Sequence, residues 1–169
     1  MKTLYAARHA KSSWGHANLT DHDRPLNERG ERTGPEMAER LRARGIGLDR
    51  LVCSSARRAR ETAQFFVDAL GLPSGCMSVE PALYGAGVGD WVRIIRALDD
   101  SWTRGMMVGH NPTLTELANG WGRMDIANVP TSGVIACSYT GTGWSTFGED
   151  PGELALGFDF PKNPSADWV

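Results

Sequence analysis

The side chains best suited to chemistry in this sequence follow its first apolar run. Leu4–Ala7 is short and apolar, as is typical of a buried strand, and Arg8, His9, Lys11 and Ser12 come directly after it. The arginine and the lysine supply fixed positive charge, the serine supplies a hydroxyl, and the histidine between them is a potential nucleophile. This combination predicts a site for a phosphoryl group, with the lysine and the serine as substrate-binding residues. A strand end that merely carries surface charge has the same composition.

Two further apolar runs end in groups of the same kind. Leu51–Ser54 leads into Arg58 at the start of a predicted helix, and Met106–Gly109 leads into His110. Basic residues are unfavourable at a helix N-terminus, where the macrodipole is positive, so their presence indicates a functional site that binds an anion. Strands that alternate with helices form parallel sheets, whose carboxyl ends lie at one edge. The three groups are therefore predicted to meet.

The rest of the pattern predicts the elements that carry these groups. The predicted elements are a helix from Asn27, its N-cap, to Gly45, a helix behind Ser54 that ends at Gly71, a strand at 77–80, a helix capped by Asp90, a helix capped by Thr113 and a strand at 134–139. Gly34 and Pro35 interrupt the first helical stripe, so Pro35 is predicted to restart that helix. Trp144–Phe147 is a candidate hairpin partner of the last strand, and Leu154–Phe160 is a candidate edge segment.

A polar stretch separates the first strand from the first helix. Gly15–Arg24 has turn composition and no clear period, so it is predicted to be a loop across the mouth of the site. Asp21, His22 and Asp23 could serve as metal ligands, but the sequence has no His-x-His or His-Glu-x-x-His partner for them, and solvated side chains are favoured. No metal and no other cofactor is predicted.

Length and composition favour one globular domain over residues 1–169. Apolar residues make up 41% of the chain and charged residues 22%, with a net charge of −2 and a pI near 6.1. This balance gives no basis for binding nucleic acid. No apolar run is long enough to span a bilayer and no secretion signal is recognisable, which predicts a cytoplasmic protein that does not bind a membrane.

The cysteines raise one alternative chemistry. Cys53, Cys76 and Cys137 are odd in number and lack metal-binding spacing, which favours reduced thiols. Cysteine-dependent phosphatases place an arginine six positions after the cysteine, so that the thiolate lies in an arginine-lined loop. Ala59 occupies that position here, which argues against this class of enzyme.

Four segments resemble the motifs of the histidine phosphatase superfamily, the phosphoglycerate-mutase-like enzymes, in the order of that family. They are Arg8–Ser12, Asp23–Gly30, Ser54–Ala63 and Val108–Pro112. The first two segments and the short chain are most similar to the SixA-type phosphohistidine phosphatases. The resemblance implies an α/β three-layer sandwich, in which helices flank a mostly parallel central sheet, and a metal-independent hydrolase.

The resemblance also implies roles for individual residues. His9 would be the nucleophile that becomes phosphorylated, and Arg8, Arg58 and His110 would form the phosphate pocket. Glu80 lies near the place of the family's general acid, although a solvated strand end accounts for it equally well. The implied substrate is a phosphorylated protein or a small phosphorylated molecule, and the oligomeric state is left open.

Departures from the family pattern bear on the choice of substrate. Ala10, Lys11 and Gly15 replace residues of the mutase pattern, which argues against sugar-phosphate mutase activity. A broad-specificity phosphomonoesterase on the same scaffold is one alternative. A non-catalytic protein that binds a phosphorylated ligand is another, but it would need no nucleophile, and both His9 and His110 are present.

Overall fold

Strands and helices alternate along most of the chain. The computed structural model describes residues 1–122, 125–149 and 154–164. The strands are β1 (Lys2–Arg8), β2 (Arg50–Ser54), β3 (Met77–Glu80), β4 (Arg104–Gly109), β5 (Val134–Tyr139) and β6 (Leu154–Asp159). The helices are α1 (Glu28–Ala43), α2 (Arg57–Ala69), α3 (Val88–Arg96) and α4 (Thr113–Gly122), and short 3₁₀ helices span Pro81–Leu83 and Trp144–Thr146. None of the helices in these ranges is long and apolar enough to cross a membrane.

The six strands of the described chain form one sheet in the order β3-β2-β4-β1-β5-β6. The first four in that order are parallel, whereas β5 is antiparallel to both β1 and β6. Arg8 pairs with Gly109 in the register of β1 and β4, and Cys53 pairs with Val108 in that of β2 and β4. The carboxyl ends of these three strands are therefore adjacent, and the predicted α/β fold with a mostly parallel sheet is confirmed.

Helices cover both faces of the sheet. Along β1, Leu4 and Ala6 pack into one apolar cluster, while Tyr5 and Ala7 pack into the other. The first cluster receives residues of α3 and α4 such as Trp91, Ile95 and Leu114, and the second receives residues of α1 and α2 such as Met37, Leu41 and Phe66. Burying each large apolar side chain contributes roughly 1.5–3 kcal/mol, so the two clusters hold the strand ends firmly in place.

The first helix is continuous, and the predicted restart at Pro35 is wrong. Gly34 lies where α1 packs against α2, and a Cβ added there would be 2.5 Å from the ring of Phe65. The apolar side chain expected at this turn is therefore missing because the two helices approach too closely to leave room for it. Packing against α2 supports α1 through the proline, whose missing N–H would by itself favour a break.

Helix starts are only partly as predicted. Asn27 caps α1, where its side chain accepts a hydrogen bond from a backbone amide of the first turn. Gly87 is the N-cap of α3, so the prediction for Asp90 is wrong. The carboxylate of Asp90 lies inside the helix and accepts a hydrogen bond of 3.1 Å from the amide of Gly87. Thr113 is the first residue of α4 and its hydroxyl donates to the carbonyl of Ala86, so it is not a cap either.

The predicted hairpin between β5 and Trp144–Phe147 is also wrong. β5 pairs with β6, so the candidate edge segment at the end of the chain is the true partner. Trp144 and Phe147 are fully buried, and the amide of Trp144 donates to the carboxylate of Asp100 at 2.6 Å. The apolar residues that resemble a strand in the sequence thus pack into the core from a 3₁₀ helix.

Candidate active site

Three of the predicted site residues meet at the carboxyl edge of the sheet. His9 follows β1, Arg58 lies in the first turn of α2 behind β2, and His110 follows β4. The Nε of Arg58 lies 3.3 Å from Nε2 of His9, and the centroids of the two imidazole rings are 5.0 Å apart. The parallel strands thereby bring together side chains that are 49 or more positions apart in the sequence.

The contacts of His9 define which of its ring nitrogens can react. Nδ1 lies 2.7 Å from the carbonyl oxygen of Ala10, and a carbonyl can only accept, so Nδ1 carries the proton. Nε2 therefore holds the lone pair and accepts the long hydrogen bond from Arg58. The hydroxyl of Thr62 accepts from the amide of Ala10 and donates to the carbonyl of Arg58, which fixes the two segments relative to each other.

Both histidines of the site are held neutral. Burial lowers the pKa of His9 to about 3, and the nearby charges of Arg58 and Arg8 act in the same direction against the hydrogen bond to Ala10. Burial, followed by the charge of Arg58, lowers the pKa of His110 to about 4. The Nε2 of His110 lies 2.8 Å from the hydroxyl of Ser54, the last residue of β2. A neutral imidazole with a lone pair on Nε2 is the form in which histidine acts as a nucleophile.

The guanidinium of Arg8 is held by hydrogen bonds from one nitrogen and has an unsatisfied donor at another. Its Nη1 donates to the carbonyl of Val129 at 2.7 Å and lies 3.3 Å from Oδ1 of Asn128. The Nδ2 of Asn111 donates to the same two oxygens, so the segment after β4 and the segment at 128–129 are joined beside the guanidinium. The Nε of Arg8 is buried and has no hydrogen-bond partner among the described residues, so the guanidinium retains an unsatisfied donor at the site.

Arg58 is buried against a carboxylate that the sequence analysis did not place in the site. Its Nη2 lies 3.0 Å from Oδ2 of Asp21, and its Nη1 donates to the carbonyl of the same residue at 2.6 Å. The hydroxyl of Tyr84 donates to Oδ2 as well, at 2.8 Å. Burial opposes ionisation of Asp21, but the hydrogen bonds from Tyr84 and Arg58 outweigh it and lower the pKa of the carboxyl.

The loop 15–24 lies across the mouth of the site, as predicted. Arg24 donates to Oδ1 of Asp21 at 3.1 Å, and its guanidinium carbon lies 3.5 Å from the ring centroid of Trp14, which is 75% exposed. His22 contacts the hydroxyl of Ser55 at 3.0 Å. Asp21 and His22 are partly exposed, in agreement with the prediction of solvated side chains, but Asp21 also pairs with the buried Arg58, which the sequence analysis did not predict. One signal for this contact was present in the sequence. Arginines in the first turn of a predicted helix need an anion nearby, and an aspartate of the preceding loop could supply it.

Lys11 and Ser12, the two other candidates after β1, are held in place through their backbone. The carbonyl of Lys11 accepts from the amide of Asn27, and Ser12 is buried in an isolated bridge to Leu26. A Cβ on Gly30 would be 2.1 Å from the carbonyl oxygen of Lys11, so glycine allows α1 to approach this segment. Within the described residues the side chains of Lys11 and Ser12 form no hydrogen bond or ion pair, so both remain available as predicted substrate contacts.

Glu80 lies beside the site but is engaged in local structure. It is the last residue of β3, where its backbone pairs with Ser54 of β2. Its carboxylate accepts from the amide of Ala82 at 2.9 Å and so caps the 3₁₀ helix at Pro81–Leu83. This carboxylate is therefore occupied by a backbone amide of its own segment. No group of three or more histidine, cysteine, aspartate or glutamate side chains in the described ranges is arranged to hold a metal ion.

A family model described as the histidine phosphatase superfamily (branch 1) matches residues 4–103. The matched range contains Arg8, His9 and Arg58, while His110 lies beyond its end. The chain is also 34% identical to the uncharacterised protein Rv1276c of Mycobacterium tuberculosis (strain ATCC 25618 / H37Rv), over 92% of this chain and 99% of that protein.

Solved structures have the same architecture. A protein proposed to be the phosphohistidine phosphatase SixA of Agrobacterium tumefaciens is 27% identical, with a TM-score of 0.75 over 82% of this chain and 92% of that one. The protein histidine phosphatase SixA complexed with tungstate is 21% identical, with a TM-score of 0.78 over 95% of this chain and 97% of that one. The second similarity concerns the fold alone.

Proposed function

Because the chain belongs to the histidine phosphatase superfamily, we propose that it hydrolyses a phosphoryl group through a covalent intermediate on His9, and that its substrate is phosphohistidine. One observation carries the proposal. The hydrogen bond from Nδ1 of His9 to the carbonyl of Ala10 directs the lone pair on Nε2 towards Arg58 and His110. Binding alone would need cationic groups but no buried neutral imidazole, so this geometry supports turnover.

The first step is an in-line displacement at phosphorus. Nε2 of His9 forms a bond to phosphorus, and the bond to the leaving group breaks with its electron pair going to that group. The weak contact from Arg58 to Nε2 gives way as this bond forms. The guanidiniums of Arg8 and Arg58, with His110, stabilise the charge on the transferring oxygens, and each such donor is typically worth 10²–10³-fold in rate.

The second step returns the free enzyme. Water attacks the phosphorus of phospho-His9, the bond between nitrogen and phosphorus breaks with its electron pair returning to Nε2, and inorganic phosphate leaves. Two moderate displacements thereby replace one difficult hydrolysis. The protein's own cationic groups supply the charge stabilisation in both steps, so we propose a metal-independent mechanism.

The identity of the leaving group favours phosphohistidine. An alkoxide must be protonated as it leaves, whereas imidazole leaves readily from the phosphorus of phosphohistidine near neutral pH. Because Glu80 caps a 3₁₀ helix, the site offers little support for the predicted general acid. The SixA similarity at 27% identity agrees with this choice of substrate. A phosphomonoesterase would instead require Glu80 or another group as a proton donor.

The cysteines bear on the cellular setting of the proposed enzyme. Cys53, Cys76 and Cys137 are all buried and none is in a disulfide. Burial raises the pKa of Cys53 to about 11 and that of Cys137 to about 12, so these thiols remain protonated and unreactive. We propose a reducing compartment, the cytoplasm, as the place of action, with residues 1–169 acting as one catalytic unit.

Trapping the intermediate tests the proposed function. The protein is mixed briefly with a histidine-containing protein that has been phosphorylated with radioactive phosphoramidate, quenched in alkali and separated. We expect an acid-labile, alkali-stable label on the wild type and on His16→Ala, a control in the exposed loop, and none on His9→Ala. A label that persists in His9→Ala, or activity that chelators abolish, would contradict the mechanism.

A further inference from the structure

We propose that Asp21 is a specificity-determining residue that favours substrates with a positively charged leaving group over those with a negatively charged one. This inference rests on the proposed function and concerns the same site. It assigns a role to the carboxylate that lies against the buried Arg58.

The first support is the position of the carboxylate. A single guanidinium separates it from the nucleophile, since Arg58 contacts Oδ2 of Asp21 through Nη2 at 3.0 Å and Nε2 of His9 through Nε at 3.3 Å. Tyr84, whose hydroxyl donates to Oδ2 of Asp21, also lies beside His110, with the two ring centroids 5.7 Å apart. A leaving group displaced from phosphorus by His9 therefore departs within the field of this carboxylate.

The second support is that the carboxylate is held in place and yet accessible. Tyr84 and Arg58 bind Oδ2, and Arg24 binds Oδ1. The side chain of Asp21 is nevertheless 47% exposed, whereas that of Arg58 is 6% exposed. Both arginines that pair with Asp21 are buried, so the carboxylate is the charged member of this cluster that solvent and a leaving group can reach.

The chemical consequence depends on the charge of the departing group. The bond between phosphorus and nitrogen in a phosphorylated imidazole breaks most readily when the distal ring nitrogen is protonated. The bond between phosphorus and nitrogen then breaks with its electron pair going to the ring, which leaves as neutral imidazole with the distal proton still attached. The carboxylate of Asp21 stabilises the cationic ring before and during this step. It repels a substrate whose leaving group carries a carboxylate or a second phosphate.

Two phosphate esters that break the same type of bond show the effect of the charge on the leaving group by itself. O-phosphoethanolamine and phosphoglycolate both release a primary alkoxide, but the first carries a cation and the second an anion two carbons away. We expect Asp21→Asn to lower the ratio of their kcat/KM values about tenfold, and to lower the rate with free phosphohistidine to a similar extent. Asp21→Glu should restore the ratio, and added salt should weaken the preference.

Asp23→Asn is the matched control. Asp23 lies in the same loop and carries the same charge, but its contacts are with Thr20 and His22 and not with Arg58. The ratio should be unchanged in this variant. An equal loss of activity on both esters in Asp21→Asn would overturn the inference, because it would show that the residue only positions Arg58. An unchanged ratio would overturn it as well.

The two proposals can fail separately. A wild-type protein that hydrolyses the esters but not phosphohistidine would disprove the proposed substrate, while the ester pair would still decide the role of Asp21. A wild-type protein that cleaves phosphohistidine and shows no change of ratio in Asp21→Asn would disprove only the role of Asp21. Circular dichroism spectra of each variant establish that it is folded.

Discussion

Two clusters of arginine and aspartate in this protein are built in opposite ways. At the end of β6, the carboxylate of Asp159 is fully buried and is bound by Arg40 at 3.1 Å and Arg44 at 2.9 Å, both about one-third exposed. At the mouth of the site the arginine is the buried partner. Arg58 is 6% exposed, while its carboxylate partner Asp21 is 47% exposed.

The difference indicates which cluster is structural. The buried charge of Asp159 is satisfied by two cations that solvent can also reach, and the result joins the last strand to α1. Among the described residues the buried Arg58 pairs with one anion, and three of the five N–H donors of its guanidinium are engaged by His9 and Asp21. A buried cation with spare donors beside a neutral nucleophile is suited to a second anion, the transferring phosphoryl group.

The largest expected effect comes from removing the buried cation of the site. Arg58→Ala should lower kcat/KM by about 10²–10³-fold, because charge on the phosphoryl oxygens loses a preorganised donor. Arg60→Ala is the control, since Arg60 is an exposed arginine of the same helix. Steady-state kinetics on both variants decides the point. Equal losses would show that general positive potential, and not the placed guanidinium, matters.

Removing the buried carboxylate of Asp159 should lower the stability of the protein. Asp159→Asn leaves Arg40 and Arg44 without their shared carboxylate, but both can still reach water. The free energy of unfolding should therefore fall by about 2 kcal/mol, with little change in kcat per folded molecule. Urea denaturation and activity on the same samples measure both quantities. A large loss of kcat with unchanged stability would reverse the assignment of the two clusters.

The two histidines of the site predict that the free energy of unfolding depends on pH. An unfolded chain binds protons on His9 and His110 below about pH 6.5. The folded chain resists protonation down to about 4 for His110 and about 3 for His9. The unfolded state thus holds more protons between these limits, and the free energy of unfolding should fall as the pH is lowered through this window.

Nuclear magnetic resonance tests the same point on the folded protein. Long-range ¹H–¹⁵N correlations of the imidazole nitrogens at pH 5.5 should show both rings neutral, with the proton of His9 on Nδ1. His16, which lies in the exposed loop, is the internal reference. A protonated His9 ring at this pH, or a proton on Nε2, would contradict the site geometry.

The smallest expected effect concerns the link between the loop and the 3₁₀ helix. Tyr84→Phe removes the hydroxyl that donates to Asp21 but leaves the charge of the carboxylate in place. We expect kcat/KM to fall only a few fold and the melting temperature to shift by a degree or two, because the bond is exposed. A loss as large as that of Arg58→Ala would mean that Tyr84 itself contacts the substrate.

Local patterns sufficed to predict the scaffold. The apolar runs that form β1, β2 and β4 end in polar residues at the predicted places, and alternation with helices implies the parallel order that the sheet has. The meeting of His9, Arg58 and His110 follows from that order alone. The wrong predictions at Pro35 and Trp144–Phe147 arose where tertiary packing overrides local preference.

Contacts between loops could not be predicted in the same way. Asp21 contacts Arg58, which is 37 positions away in the sequence, and Tyr84, which is 63 positions away. Neither pair produces a periodic signal in the sequence. The caps at Gly87 and Glu80 were missed because glycine and glutamate are weaker cap signals than the aspartate and threonine nearby. The tautomer of His9 depends on the path of the backbone at Ala10, which only the fold determines.

The most direct test is a crystal structure of the protein with vanadate, which imitates five-coordinate phosphorus. The account predicts a covalent bond between vanadium and Nε2 of His9, with vanadate oxygens bound by Arg8, Arg58 and His110. Vanadate that binds through oxygen alone, or a bond to Nδ1 of His9, would contradict the central claim that this nitrogen is the nucleophile.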